Sequence, residues 1–231
     1  MQKGKLFIVP TPIGNLEDIT FRAIKVLKGV DEIAAEDTRT SSILLKHYEI
    51  STPLTSLHQH NEHQKVDFLL QKILSGKNIA VITDAGTPGI SDPGYFIVHQ
   101  AIEKEIEVEC LPGATAFVPA LVASGLPCDR FIFEGFLPVK KGRLTKFQEL
   151  KDEQRTIIFY ESPFRILKTL QEILEYWGDC KTVVVRELSK KFETYHRGFC
   201  SELVAYFSQK EPKGECILLV NQNIKKNRPI Q

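Results

Sequence analysis

The chain has no closely spaced cysteine pair, no surplus of one charge and no long apolar run. Its five cysteines, Cys110, Cys128, Cys180, Cys200 and Cys216, are odd in number and widely separated. That excludes a disulfide framework or a CxxC metal motif and leaves reduced thiols as the expectation. The apolar run near the start, 6–10, is shorter than the core of a secretory signal. No later stretch approaches the ~20 apolar residues that a bilayer-spanning helix needs, so the expected location is the cytoplasm. With 30 basic and 29 acidic side chains the net charge is +1, which argues against a strongly basic nucleic-acid binder. Also absent are an internal repeat, a low-complexity tract, a GxGxxG fingerprint and a GxxxxGK[ST] phosphate loop.

What is present is ordinary globular composition: 231 residues, 42% hydrophobic and 26% charged. Disorder, collagen-like repeats and coiled coil are thereby excluded. The length admits one large or two small domains and can enclose a small-molecule site. The even net charge conceals an asymmetry. Residues 1–115 hold 11 Lys/Arg against 15 Asp/Glu, net −4, and residues 116–231 hold 19 against 14, net +5. A change of sign partway along the chain is a first sign of two units.

Periodicity alternates between two and 3.6. Strand-like runs fall at 5–9, 32–36, 53–58, 78–83 and 106–111, then at 131–136, 156–161, 182–187, 194–199 and 215–220. Helical patterns lie between them, at 20–28, 42–49, 61–75, 95–104 and 115–124, then near 143–151, 164–177 and 201–208. This alternation predicts α/β architecture, with a hinge near 112–126. Thr20 is placed to cap one helix, and Ser162 followed by Pro163 to start another.

Open α/β sheets bind ligands beyond the carboxyl ends of their strands, and four loops occupy such places. Pro10-Thr11-Pro12-Ile13-Gly14-Asn15 is a stiff turn. The stretch 84–94, DAGTPGISDPG, has three glycines and two prolines but no lysine or arginine. Its glycines let main chain approach a ligand closely, and the absence of cations speaks against a triphosphate. Residues 111–116, LPGATA, lead into a helix whose N-terminus can receive a polar group. Glu36-Asp37-Thr38-Arg39 is either a structural ion-pair cluster or a polar active-site rim. His58, His60 and His63 with Glu62 lack the spacing of a zinc site, leaving a solvent-facing or substrate-contacting loop. In the second half, 138–146 concentrates Lys140, Lys141, Arg143 and Lys146 between Phe136 and Phe147. It is either a phosphate-contacting patch or a solvated linker and helix face.

VPTPIGNLEDIT, AEDTR, TDAGTPGISDPG, LPGATA, ALVASGLP, FEGFLP, FYESPFR and KGE follow one another along the chain. Together, across about residues 5–220, they closely resemble the ribosomal RNA small subunit methyltransferase I family, the ribose 2′-O-methyltransferases of the tetrapyrrole methylase superfamily. The resemblance implies a two-domain tetrapyrrole-methylase-like α/β fold, each domain a mixed sheet flanked by helices. It implies S-adenosyl-L-methionine in the interdomain cleft, no metal, and a homodimer. The implied substrate is a cytidine ribose of small-subunit rRNA, free or in the assembled subunit. The expected domains are 1–114, with the cofactor loops and polar rim, and 115–231, which completes the cofactor site and carries the basic face.

By the same resemblance, Ile13 and Gly14 stand in the first cofactor loop. Gly86, Thr87 and Pro88 take the place of the superfamily's GDP-containing loop, with Asp84, Ile90 and Ser91 beside them. Thr115, Ala116, Tyr160 and Gly214 fall on further cofactor-contact positions. A ribose 2′-hydroxyl is a poor nucleophile and benefits from a nearby base. Glu36 or Asp37 is the expected base, Arg39 the anchor for a phosphate or for the acid pair, and His60 and Glu62 are secondary candidates. Lys140, Lys141, Arg143 and Lys146 are the expected RNA contacts. Two other readings are a precorrin-type tetrapyrrole methyltransferase and a non-catalytic regulatory module that binds the cofactor.

Overall fold

A computed structural model describes residues 3–58 and 61–226. The chain divides into two compact units between Thr115 and Ala116.

In the first unit the strands are β1 (Lys5–Ile8), β2 (Glu32–Ala35), β3 (Leu54–Ser56), β4 (Ile79–Ile82) and β5 (Glu107–Cys110). They form one sheet in the order β3-β2-β4-β1-β5, and every pairing in it is parallel. The connecting helices are α1 (Phe21–Gly29), α2 (Thr38–His47), α3 (Glu62–Leu74) and α4 (Tyr95–Glu103). Central β4 is buried at all four positions, as a strand covered on both faces must be. Side chains alternate along β1. Leu6 and Ile8 pack with Val66, Leu69, Leu70 and Ile73 of α3, while Val9 lies with Ala23 and Leu27 of α1 on the other face. Thr20 caps α1 as expected, accepting a hydrogen bond from the Ala23 N–H at 3.0 Å.

The second unit contains α5 (Phe117–Ser124), β6 (Phe131–Phe136), α6 (Arg143–Glu149), β7 (Thr156–Glu161), α7 (Pro163–Trp177), β8 (Cys180–Arg186), β9 (Thr194–Phe199), α8 (Cys200–Gln209) and β10 (Cys216–Lys225). Its sheet order is β6-β7-β10-β8-β9. β6 and β7 run parallel and the other pairings are antiparallel, so this sheet is mixed. Its core gathers Phe147, Phe159, Ile166, Leu170 and Trp177, and the indole N–H of Trp177 donates to the Phe147 carbonyl at 2.8 Å. Pro163 opens α7, but the Ser162 side chain makes no cap bond. Its N–H is held instead by the Glu161 carboxylate at 2.7 Å.

Two boundaries differ from expectation for local reasons. α2 begins at Thr38 rather than 42, because the Asp37 carboxylate accepts the Arg39 N–H at 2.8 Å and starts the helix four residues early. α5 begins at Phe117 rather than 115. Thr115 belongs to the first unit, where its hydroxyl lies 2.8 Å from that of Thr87.

Candidate active site

Because the first sheet is parallel, the segments after β1, β2, β3, β4 and β5 leave from the same edge. Several are tied directly to one another. Thr11 and Gly86 exchange both backbone hydrogen bonds, at 2.9 and 3.0 Å, and the Thr11 hydroxyl donates to the Thr83 carbonyl at 3.0 Å. The Thr87 hydroxyl donates to the Ala114 carbonyl at 2.9 Å. Gly113 lies so near Pro10 that a Cβ on it would sit 2.6 Å from the proline Cβ. The loops after β1, β4 and β5 therefore form one stiff framework.

Within the β4 loop the glycines do what only glycine does cheaply. Gly94 has φ +145°, and a Cβ there would be 2.9 Å from the Gly89 nitrogen. Non-glycine Ser91 is also held at φ 68°, a costly conformation that surrounding bonds must enforce. Gly86 has φ +86°, and a Cβ on it would reach Ile13 at 3.5 Å and the Ala114 carbonyl at 3.7 Å. The bare backbone there faces Ile13, one of the expected cofactor contacts.

Beside this framework stands an acidic constellation. The Asp37 N–H donates to Asp84 Oδ1 at 3.2 Å, and the Asp84 N–H donates in turn to the Glu36 carboxylate. Burial pushes the carboxyls of Glu36 and Asp84 upward, and the negative charges around them add to the effect. Asp92 is pushed up to about 6 by burial and by the charges of Glu36 and Asp84. It is not among the expected site residues; the signal in the sequence is an acid directly before Pro93 in a loop of three glycines.

Asp37 behaves in the opposite way. It caps α2 and holds the Arg39 guanidinium through two side-chain bonds at 3.1 and 2.7 Å, which pulls it down to about 2. A carboxylate so stabilised is a poorer proton acceptor than the neighbouring Glu36, whose carboxyl is raised. Arg39 is otherwise free in solvent, its side chain 90% exposed.

The buried polar atoms that lack a hydrogen-bond partner among the described residues include the Thr83 hydroxyl, at the end of β4, and Oε1 of Glu62, at the start of α3. Buried polar groups are normally satisfied, so both are suited to meeting a ligand. His60 lies outside the described residues. The lining fits S-adenosylmethionine: a glycine-rich backbone, no lysine or arginine in 84–94, and raised carboxyls that suit a cationic ligand.

In the second unit Tyr160 lies on β7 with its ring 5.0 Å from Phe133 and 5.7 Å from Phe136. Ala116 stands just before α5. Gly214 has φ +80°, and the Glu187 carboxylate fills the space a Cβ would take, 2.2 Å away. Of the four expected RNA-contacting cations, Lys140 and Lys141 are exposed. Lys146 is engaged by Glu134 and Glu149 at 3.2 and 3.0 Å. Arg143 requires a correction. It is 5% exposed, its guanidinium bonded to Glu172, Thr169 and the Pro138 carbonyl. It holds the loop that carries the lysines and presents no charge to solvent.

A family model described as Tetrapyrrole (Corrin/Porphyrin) Methylases matches residues 5–204. A ribosomal RNA small subunit methyltransferase I of Streptococcus pyogenes serotype M3 is 50% identical over 218 residues, covering 94% of this chain and 76% of that protein. The protein of that name from Escherichia coli O157:H7 is 51% identical, covering 94% and 78%. The one from Thermotoga maritima is 46% identical, covering 94% and 98%. Among solved structures, a diphthine synthase superposes with TM-score 0.76 at 12% identity, covering 94% of this chain and 90% of the other. A uroporphyrin-III-C-methyltransferase from Thermus thermophilus superposes with TM-score 0.68 at 18% identity, covering 95% of each. These two share the fold. With close to half its residues shared over nearly its whole length, the chain belongs to the ribosomal RNA small subunit methyltransferase I family within the tetrapyrrole methylases.

Proposed function

We propose that this chain transfers the methyl group of S-adenosylmethionine to the 2′-hydroxyl of a cytidine ribose in small-subunit ribosomal RNA, working in the cytoplasm as a homodimer. The observation that carries the reading is the pairing of a cation-free, glycine-shaped β4 loop with the raised carboxyls of Glu36 and Asp92 on the same sheet edge. When bound, the cofactor supplies a methyl already activated by its sulfonium. Ile13, Gly14, Asp84, Gly86, Thr87, Pro88, Ile90, Ser91 and Thr115 would hold it from the first unit's loops. Much of that grip comes from main chain, which the Thr11–Gly86 exchange keeps rigid.

The remaining task is proton removal. The cofactor would give up its methyl by cleavage of the S–CH₃ bond, leaving as S-adenosylhomocysteine, and the proton displaced from the 2′-hydroxyl would pass to the carboxylate of Glu36 or Asp92. Burial and neighbouring negative charge make both more basic than an ordinary carboxylate, which suits a general base. Such assistance contributes typically ~10²–10⁴-fold. Arg39, held by Asp37 but with its side chain 90% exposed, can meet a phosphate, and Glu62 opens the helix that follows β3.

The test is labelled methyl transfer to small ribosomal subunits from a strain lacking this modification, followed by nucleoside mass spectrometry. The expected product is 2′-O-methylcytidine. A base-methylated nucleoside, or no product from protein that binds the cofactor, refutes the reading.

A further inference from the structure

The mixed sheet also has an edge where loops collect, and its surface chemistry is distinctive. The register aligns Phe136 with Tyr160, Glu161 with Cys216, and Cys216 with Arg186. The loops after β6, β7 and β8 and the turn before β10 therefore emerge side by side. Across them, three phenylalanines stand in solvent: Phe136 at 58%, Phe164 at 82% and Phe192 at 64% exposure. Large aromatic rings left so bare in neighbouring loops need a reason. The first two loops are pinned together, since Arg165 Nη1 donates to the Leu137 carbonyl at 3.2 Å. The β8–β9 turn is held in costly geometry, with Glu187 at φ 52° and Ser189 at φ 63°. It is fastened to the turn before β10 by the Glu215 N–H bonding to Glu187 and by Arg186 donating to the Lys213 carbonyl at 2.7 Å.

The cations on this edge sort into two sets. Arg143, Lys146, Arg165 and Lys190 are neutralised by carboxylates of the same unit and brace the loops. Lys140, Lys141, Lys191 and Lys213 are exposed and make no ion pair among the described residues. Exposed rings interleaved with unneutralised lysines are the pattern of a single-stranded nucleic-acid surface, with bases stacking on the rings and phosphates meeting the ammonium groups. The net +5 of residues 116–231 agrees with it in sign. A protein partner would leave the free lysines unexplained.

We propose that this edge is a docking surface for an unpaired segment of the ribosomal RNA substrate, with Phe136, Phe164 and Phe192 as stacking platforms and Lys140, Lys141, Lys191 and Lys213 as phosphate contacts. The proposal rests on the rRNA reading above and adds where the RNA is gripped. Adjacent strands lie about 4.8 Å apart, so the row from β6 to β8 runs about 14 Å, enough for a short stretch of nucleotides. The phosphate contacts set affinity and its salt dependence without choosing sequence.

The test compares the full chain with Phe164→Ala and with a Lys140→Ala/Lys141→Ala double variant. The measurements are KM and kcat for small ribosomal subunits, affinity for an unpaired oligoribonucleotide across a salt series, calorimetric affinity for S-adenosylmethionine, and sedimentation mass. Phe164→Ala is expected to raise KM about tenfold, as loss of one stacked base does. The double variant is expected to flatten the slope of log affinity against log salt by about 1.4, two single-strand phosphate contacts. Cofactor affinity is expected to stay the same in both. Unchanged KM, RNA affinity and salt slope, in a wild-type protein that methylates rRNA, overturn the docking surface and leave the rRNA reading standing. A change in sedimentation mass with RNA affinity unaltered also overturns it, marking the face as a subunit interface. If the variants lose RNA affinity while the wild type methylates no rRNA, the surface stands and the rRNA reading fails.

Discussion

Replacing Arg143 with alanine separates two roles that one basic residue in a basic stretch can have. Its guanidinium donates to Glu172 Oε2 at 2.9 and 2.6 Å, to the Thr169 hydroxyl at 2.8 Å and to the Pro138 carbonyl at 3.1 Å. Its Nη1 also lies 3.9 Å from the carboxylate of Glu161, which is wholly buried. Removal leaves Glu172 without its main partner and Glu161 with Arg165, Thr169 and the Ser162 N–H. Breaking a buried ion pair by deleting one member costs about 3–5 kcal/mol, because a charge stays behind without compensation. In a unit of this size, 1 kcal/mol moves the melting temperature by roughly 4 °C, so the transition of the second unit is expected to fall by about 12–20 °C. Arg143→Lys keeps the charge but loses the planar fork, and is expected to cost about 1–2 kcal/mol. The assay is thermal unfolding followed by near-ultraviolet signal from Trp177, which lies in the core of this unit. An Arg143→Ala protein with an unchanged transition but weaker RNA binding would refute the bracing role and return the residue to the RNA-contacting set.

Asp92, raised to about 6, binds protons in the folded state that the unfolded chain has released. Its contribution therefore falls as pH rises from about 4 through 6, and Asp92→Asn is expected to stabilise the protein above pH 7 by at most about 3 kcal/mol. If Asp92 is the base, the same variant also abolishes the acid limb of the pH–rate profile near 6, whereas Asp37→Asn leaves that limb in place. Gly113→Ala pushes a methyl into Pro10 and is expected to cost about 1–3 kcal/mol and to weaken S-adenosylmethionine binding by calorimetry. Native protein treated with a thiol reagent is expected to label Cys128 first, since Cys128 and Cys110 are both exposed and desolvation pushes the Cys110 thiol up. Cys200 and Cys216 are buried, with thiols pushed up to about 12, and are expected to react only on unfolding.

Much of this molecule is legible from residue order. Each strand and helix follows from local periodicity, and the glycine and proline content of 84–94 marks a shaped loop before any coordinates are seen. The division near Thr115 follows the change in charge sign. These features depend on neighbours a few residues apart, which the sequence states directly. Tertiary structure decides what depends on distant partners. Glu36 stands far from Asp84 and Asp92 in the sequence, yet burial at one sheet edge and the charges of Glu36 and Asp84 raise the carboxyl of Asp92. Arg143 and Lys140 stand three residues apart in one basic run, and only packing against α7 makes the first a brace and leaves the second in solvent. A residue's type sets which interactions it can make. The dielectric and charges around its side chain, assembled from segments tens of residues away, set which ones it does make.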